Sequence, residues 1–114
     1  MPSLYEPCGL NQIYSLRYGT LPIVRTVGGL KDTVEDYDGK TGQGTGFVFQ
    51  EPSRQDLTRC VRRALKNFHG QPKSFNRMVS SAMKKRFQWE DAGKEYLKLF
   101  RKALSCEAIE TPRL

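Results

Sequence analysis

The chain has 114 residues, 38% hydrophobic and 27% charged, which suits one ordinary globular unit and is too short for two complete domains. No apolar run approaches the roughly 20 residues that span a bilayer, and the N-terminus lacks the basic and apolar segments of a secretory leader, so the expected partners include no membrane and the expected location is the cytoplasm. The net charge of +7 lies mostly after Arg54, in RCVRRALK, MKKRF and KEYLKLFRK. Basic residues there fall between apolar ones at helical spacing without stacking aromatics, the pattern of a solvated helix face rather than a nucleic-acid interface.

Met1 to Tyr5 reads as the end of an extended element, since Pro2 disfavours helix at Met1. The run Glu6-Pro7-Cys8-Gly9-Leu10 is a loop feeding a helix start. Such a start exposes backbone N–H groups without internal partners and the positive end of the helix dipole, which suits an anion such as phosphate. Leu10, Ile13 and Arg17, with Tyr14 beside them, are expected on one side of that helix, and Gly19 ends it. Thr20 to Arg25 is a short branched run read as a strand. Gly28-Gly29 follow it directly, where ligands of open α/β sheets bind. Lys31 to Glu35 reads as a helical turn, Asp36 to Gly46 as a glycine-rich loop, and Gly46 to Phe49 as a second buried strand.

Three amphipathic helices then follow. Ser53 and Asp56 form a capping box ahead of a stripe of Leu57, Cys60, Val61, Ala64, Leu65 and Phe68. The polar connector from His69 to Pro72 leads to a second stripe of Phe75, Met78, Val79, Ala82, Met83 and Phe87. The third helix opens at Trp89, Glu90 and Asp91 and runs through Ala92, Tyr96, Leu97, Phe100, Ala103 and Leu104. All three stripes are expected to be core. The fold class is α/β, short parallel strands followed by three amphipathic helices, with 1–105 as the domain and 106–114 as a tail.

Several familiar signals fail on spacing. Gly39-Lys40-Thr41 lacks the glycine that a P-loop needs five positions earlier, where Val34 stands, and Gly42, Gly44 and Gly46 lack the further glycine and the leading strand of a dinucleotide fingerprint. Asp36-Tyr37-Asp38 lacks the remaining oxygen ligands of a calcium loop and reads as a turn, so no metal site is expected. Cys8, Cys60 and Cys106 are odd in number and far apart, which fits neither a zinc site nor a disulfide framework. His69, the single histidine, sits in a connector.

S-L-Y-E-P-C-G-L-N-Q at a helix head, followed by R-Y-G-T-L-P-I-V-R and T-V-G-G-L-K-D-T-V, closely resembles the bacterial glycogen synthase and plant starch synthase family. The likeness continues through Thr45-Gly46-Phe47 to Phe87-Gln88-Trp89-Glu90, Ala92 and Tyr96. It implies the later half of the Rossmann-like C-terminal domain of a GT-B enzyme. Such enzymes transfer glucose from ADP-glucose to the non-reducing end of an α-1,4-glucan with retention, using no metal and no cofactor.

By resemblance Glu6 is the catalytic glutamate lying against the donor glucose. Cys8 and Gly9 match positions whose N–H groups meet glucose hydroxyls, Leu10 and Asn11 match those holding the distal phosphate, and Gly28 and Gly29 lie close beside them. Tyr14 stands where the wider clan often carries a second glutamate, an acid that this branch also tends to lack. The resemblance also implies that an N-terminal domain is needed for activity, that the isolated chain is inactive and marginally stable, and that a plant source would place it in the plastid. Two alternatives stand beside it: a GT-B transferase using UDP-glucose, and a non-catalytic nucleotide-sugar or glucan-binding module.

Overall fold

The computed structural model describes residues 1–105, so the tail expected at 106–114 lies outside the described residues. The order is α1 (Asn11–Arg17), β1 (Ile23–Arg25), α2 (Gly28–Thr33), β2 (Phe47–Phe49), α3 (Arg54–Gly70), α4 (Pro72–Lys84) and α5 (Trp89–Ser105). The two strands pair in parallel, Ile23 opposite Phe47, Val24 opposite Val48 and Arg25 opposite Phe49. Met1 adds the hydrogen-bond pattern of a further parallel partner on the other side of β1, donating to the Ile23 carbonyl at 2.6 Å and accepting from the Arg25 N–H at 3.1 Å. The α/β class and parallel pairing expected from the sequence are therefore present.

The core divides at the sheet. On one side Phe47, Phe49, Cys60 and Met78 are buried, with Leu57, Ala64 and Phe75 packed against them from α3 and α4. On the other, Val24, Leu30 and Val34 form a smaller cluster beneath α2. Successive strand residues point to opposite faces, which is how Val24 and Phe47 come to lie in different clusters. Phe47 is 1% exposed. Emptying such a site costs about 3–5 kcal/mol, a large part of the total stability of a small domain.

Element boundaries moved where local chemistry decided them. β1 begins at Ile23 rather than Thr20, because Thr20 is still engaged in ending α1: its N–H donates to Ser15 at 2.9 Å and that of Gly19 to Leu16 at 3.2 Å, with Gly19 at φ +73°. That pair of bonds is a Schellman close. α2 starts at Gly28, ahead of the expected Lys31, so the glycine pair opens the helix instead of preceding it. The connector expected from His69 to Pro72 shrinks to Gln71, because α3 continues through Gly70 and Pro72 begins α4, its missing N–H costing nothing in a first turn.

Two helix faces that carry apolar residues point outward. α1 turns Gln12 and Leu16 inward while Leu10, Tyr14 and Arg17 stay exposed. The reason is polar: the loop before α1 presents carbonyl groups that the Gln12 amide satisfies. The stripe of α5 is not core, since no residue of that helix is buried and Tyr96, Leu97, Phe100 and Leu104 all stand exposed. In α3, Leu65 and Phe68 are likewise more than half exposed, so its inward face is narrower than the periodicity suggested.

The capping box at α3 forms by half. Ser53 Oγ accepts from the Asp56 N–H at 3.1 Å, but the Asp56 carboxylate reaches past Ser53 to the N–H groups of Gln50 and Glu51, at 3.0 and 2.9 Å. It thereby joins the end of β2 to the start of α3. These N–H groups hold the Asp56 carboxyl below the ordinary value of 3.8. A carboxyl depressed on folding stabilises the fold above its unfolded value, and that contribution is lost as pH falls through the lower folded value. Chemical denaturation at a series of pH values should show stability declining below about pH 4 in the native chain. Asp56→Asn should be weaker near neutrality and show a shallower decline.

Candidate functional site

The residues singled out from the sequence come together at the carboxyl end of β1. Gly29 donates its N–H to the Glu6 carbonyl at 3.0 Å, fixing the loop that carries Glu6 against the start of α2. The two backbones touch. A Cβ on Gly29 would lie 2.5 Å from the Cys8 carbonyl oxygen and 2.6 Å from the Cys8 Cα, and one on Gly28 would collide with the Glu6 carbonyl. Gly28 also has φ +46°, in the region that disfavours side chains. Glycine is thus required at both positions by the loop that passes over them.

Gly9, at φ +74°, turns this loop into α1, and Leu10 is the N-cap. No side chain caps the helix and its first turn holds no acid, leaving the N–H groups at its start open to an outside acceptor. Cys8 and Leu10 are exposed and Glu6 is half-buried. The seven predicted residues are therefore neighbours: Glu6, Cys8 and Gly9 form the loop, Leu10 and Asn11 start α1, and Gly28 and Gly29 start α2 beneath the loop.

Three supporting residues were not singled out from the sequence. Gln12 is fully buried, and its Nε2 donates to the carbonyls of Cys8 at 2.7 Å and Gly9 at 2.9 Å and reaches Thr33 Oγ1 at 3.3 Å. Thr33 in turn donates to the Gly29 carbonyl at 2.6 Å. A single amide thus ties loop, α1 and α2 together. Arg25 does similar work on the other side, donating from Nη1 to Ser3 and Leu4 and from Nε to Gln50. The available signal was a polar residue four before Leu16 on a face that otherwise turns inward.

Aspartates expected to be turn residues have defined roles. Asp38 accepts from the Lys40 N–H and the Thr41 hydroxyl, closing its own turn. Asp36 forms a two-pronged pair with Arg63 and accepts from the Val48 N–H at 2.7 Å.

Known proteins resemble this chain over most of its length. The family described as glycosyl transferases group 1 matches residues 1–86. A glycogen synthase of Vibrio atlanticus is 52% identical over 103 residues, 90% of this chain and 21% of that protein. One from Koribacter versatilis is 50% identical over 108 residues, 95% of this chain and 22% of that protein. The catalytic domain of starch synthase IV from Arabidopsis thaliana, bound to ADP and acarbose, superposes with a TM-score of 0.79 at 34% identity, covering 91% of this chain and 22% of that one. The chain belongs to the group 1 glycosyl transferases, and the relatives it resembles within them are glycogen and starch synthases. It spans about a fifth of the length of the relatives it matches.

Replacing Gln12 by leucine should keep the volume of the site and leave the Cys8 and Gly9 carbonyls without their donor. The expected loss is roughly 1–3 kcal/mol in urea denaturation, with faster amide exchange at Gly29. Unchanged stability together with unchanged exchange would contradict the tie.

Proposed function

We propose that this chain is the donor-binding portion of a retaining glucosyltransferase, which moves glucose from ADP-glucose to the non-reducing end of an α-1,4-glucan with the help of a further domain. The observation that carries the reading is the uncapped helix start beside Glu6, held in place by Gly28 and Gly29. The names of the relatives support glucan synthesis, and the ADP in the starch synthase structure supports an adenine nucleotide as the leaving group.

Departure of ADP builds negative charge on the distal phosphate while positive charge builds at the anomeric carbon. N–H groups at Leu10 and Asn11 would stabilise the first, and those of Cys8 and Gly9 would orient the sugar hydroxyls. The Glu6 carboxylate would stabilise the second charge. Fixed dipoles placed before the reaction serve better than water because they need no reorganisation as charge develops. Transfer on one face of the sugar needs no histidine base, in keeping with His69 lying at the far end of α3. Cys8 serves by being small, allowing its backbone to approach the sugar, and neither a metal nor a cofactor takes part in this scheme.

Two constructions test the proposal. The purified chain mixed with radiolabelled ADP-glucose and glycogen should incorporate no label above background. Grafted in place of the corresponding fifth of the Vibrio atlanticus synthase, it should support glucan elongation. In that chimera Glu6→Gln should lower kcat by about 100-fold or more with donor KM little changed. An E6Q chimera that elongates glucan at the unmutated rate would sink the assignment of Glu6. Preference for UDP-glucose in competition would correct the donor, and donor binding without turnover would favour a non-catalytic module.

A further inference from the structure

β2 is the outer strand of its sheet, and its free edge carries no unpaired backbone group that a strand could use. Phe47 and Phe49 direct their N–H and C=O groups toward β1, so Val48 directs both of its own outward. The Val48 N–H donates to Asp36 Oδ1 at 2.7 Å, and the Val48 carbonyl accepts from Arg63 Nη2 at 3.0 Å. Asp36 and Arg63 also bind one another through both carboxylate oxygens. Before Val48 the same edge is covered by backbone, Tyr37 donating to the Gly46 carbonyl and Gly46 to the Glu35 carbonyl. After Val48, the Gln50 N–H goes to Asp56 and its carbonyl to Arg25 Nε.

We propose that the Asp36–Arg63 pair is a strand-edge plug that stands in for a neighbouring strand at Val48 and keeps a second copy of this chain from pairing with β2. Parallel and antiparallel edges alike recruit other chains through exposed N–H and C=O groups, and burying or occupying those groups removes the template. An exposed ion pair alone contributes little to stability, so the two backbone contacts, not the attraction between the charges, give the pair its effect. The guanidinium is further fixed over the Phe47 ring, 5.7 Å from its centre, which holds the fork in line with the strand edge. The plug is independent of the sugar-nucleotide reading.

Exchanging the two side chains separates the plug from the ion pair. In the double variant Asp36→Arg with Arg63→Asp the charges still attract, but the Val48 N–H faces a donor and its carbonyl faces an acceptor. Light scattering after size exclusion should show this variant associating at about tenfold lower concentration than the native chain, and the Val48 amide should exchange about tenfold faster in dilute monomer. Native association together with native Val48 exchange, in a variant whose circular dichroism is unchanged, would overturn the proposal. Should the exchanged pair not fold, Asp36→Asn and Asp36→Leu carry the test. Asparagine keeps an acceptor for Val48 and should remain as the native chain, while leucine should associate; equal behaviour of the two would also overturn it.

Discussion

Everything at the functional end of this molecule depends on two backbones lying closer than side chains would allow. The loop from Glu6 to Cys8 crosses directly over Gly28 and Gly29, and the single hydrogen bond from Gly29 to the Glu6 carbonyl sets its height. Because a Cβ at either glycine would overlap main-chain atoms rather than a flexible side-chain tip, the loop has no cheap way to yield. Its position then fixes the direction in which α1 begins. The Gln12 amide completes the arrangement from beneath, occupying the Cys8 and Gly9 carbonyls so that the opposite face of the loop can present its N–H groups.

The remainder of the fold holds this contact in place through the strands. β1 delivers Gly28-Gly29 at its carboxyl end, and β2 anchors β1 by pairing with it over the Phe47 cluster. Arg25 links the two levels, since its guanidinium bonds the segment leading into the Glu6 loop and also the carbonyl of Gln50 just after β2. Asp56 then joins that same stretch to α3. A disturbance of the α3 start therefore has a path of hydrogen bonds to the loop without touching it.

How much of this was legible in the sequence follows from the range of the forces involved. The glycine pair, the Glu6 loop and the strand at Phe47 were readable because each is set by local backbone demands or by a short apolar run. Gln12 was not, because its role comes from carbonyls in a turn and from Thr33, 21 residues away. The same holds for Arg63 and Asp36, whose pairing spans 27 residues and appears in sequence only as one more basic and one more acidic surface residue. The exposed stripe of α5 failed for a different reason. Periodicity shows that a face wants to be covered, but it cannot show that the cover belongs to the same stretch of chain.

Cover from outside the described residues bears on the chemistry as well as the packing. A nucleotide diphosphate carries more charge than a few backbone dipoles neutralise, and stabilising its departure calls for cations close to the phosphates. The cation tied most directly to the Glu6 loop is Arg25, and its fork is committed to the carbonyls of Ser3, Leu4 and Gln50. Lys85 is paired with Glu35, and Arg63 with Asp36. The loop that the proposed function assigns to a sugar phosphate thus has no uncommitted cation among these three to balance it. The proposed reading therefore calls for cations beyond these three, just as the apolar face of α5 calls for a cover that the described residues do not provide.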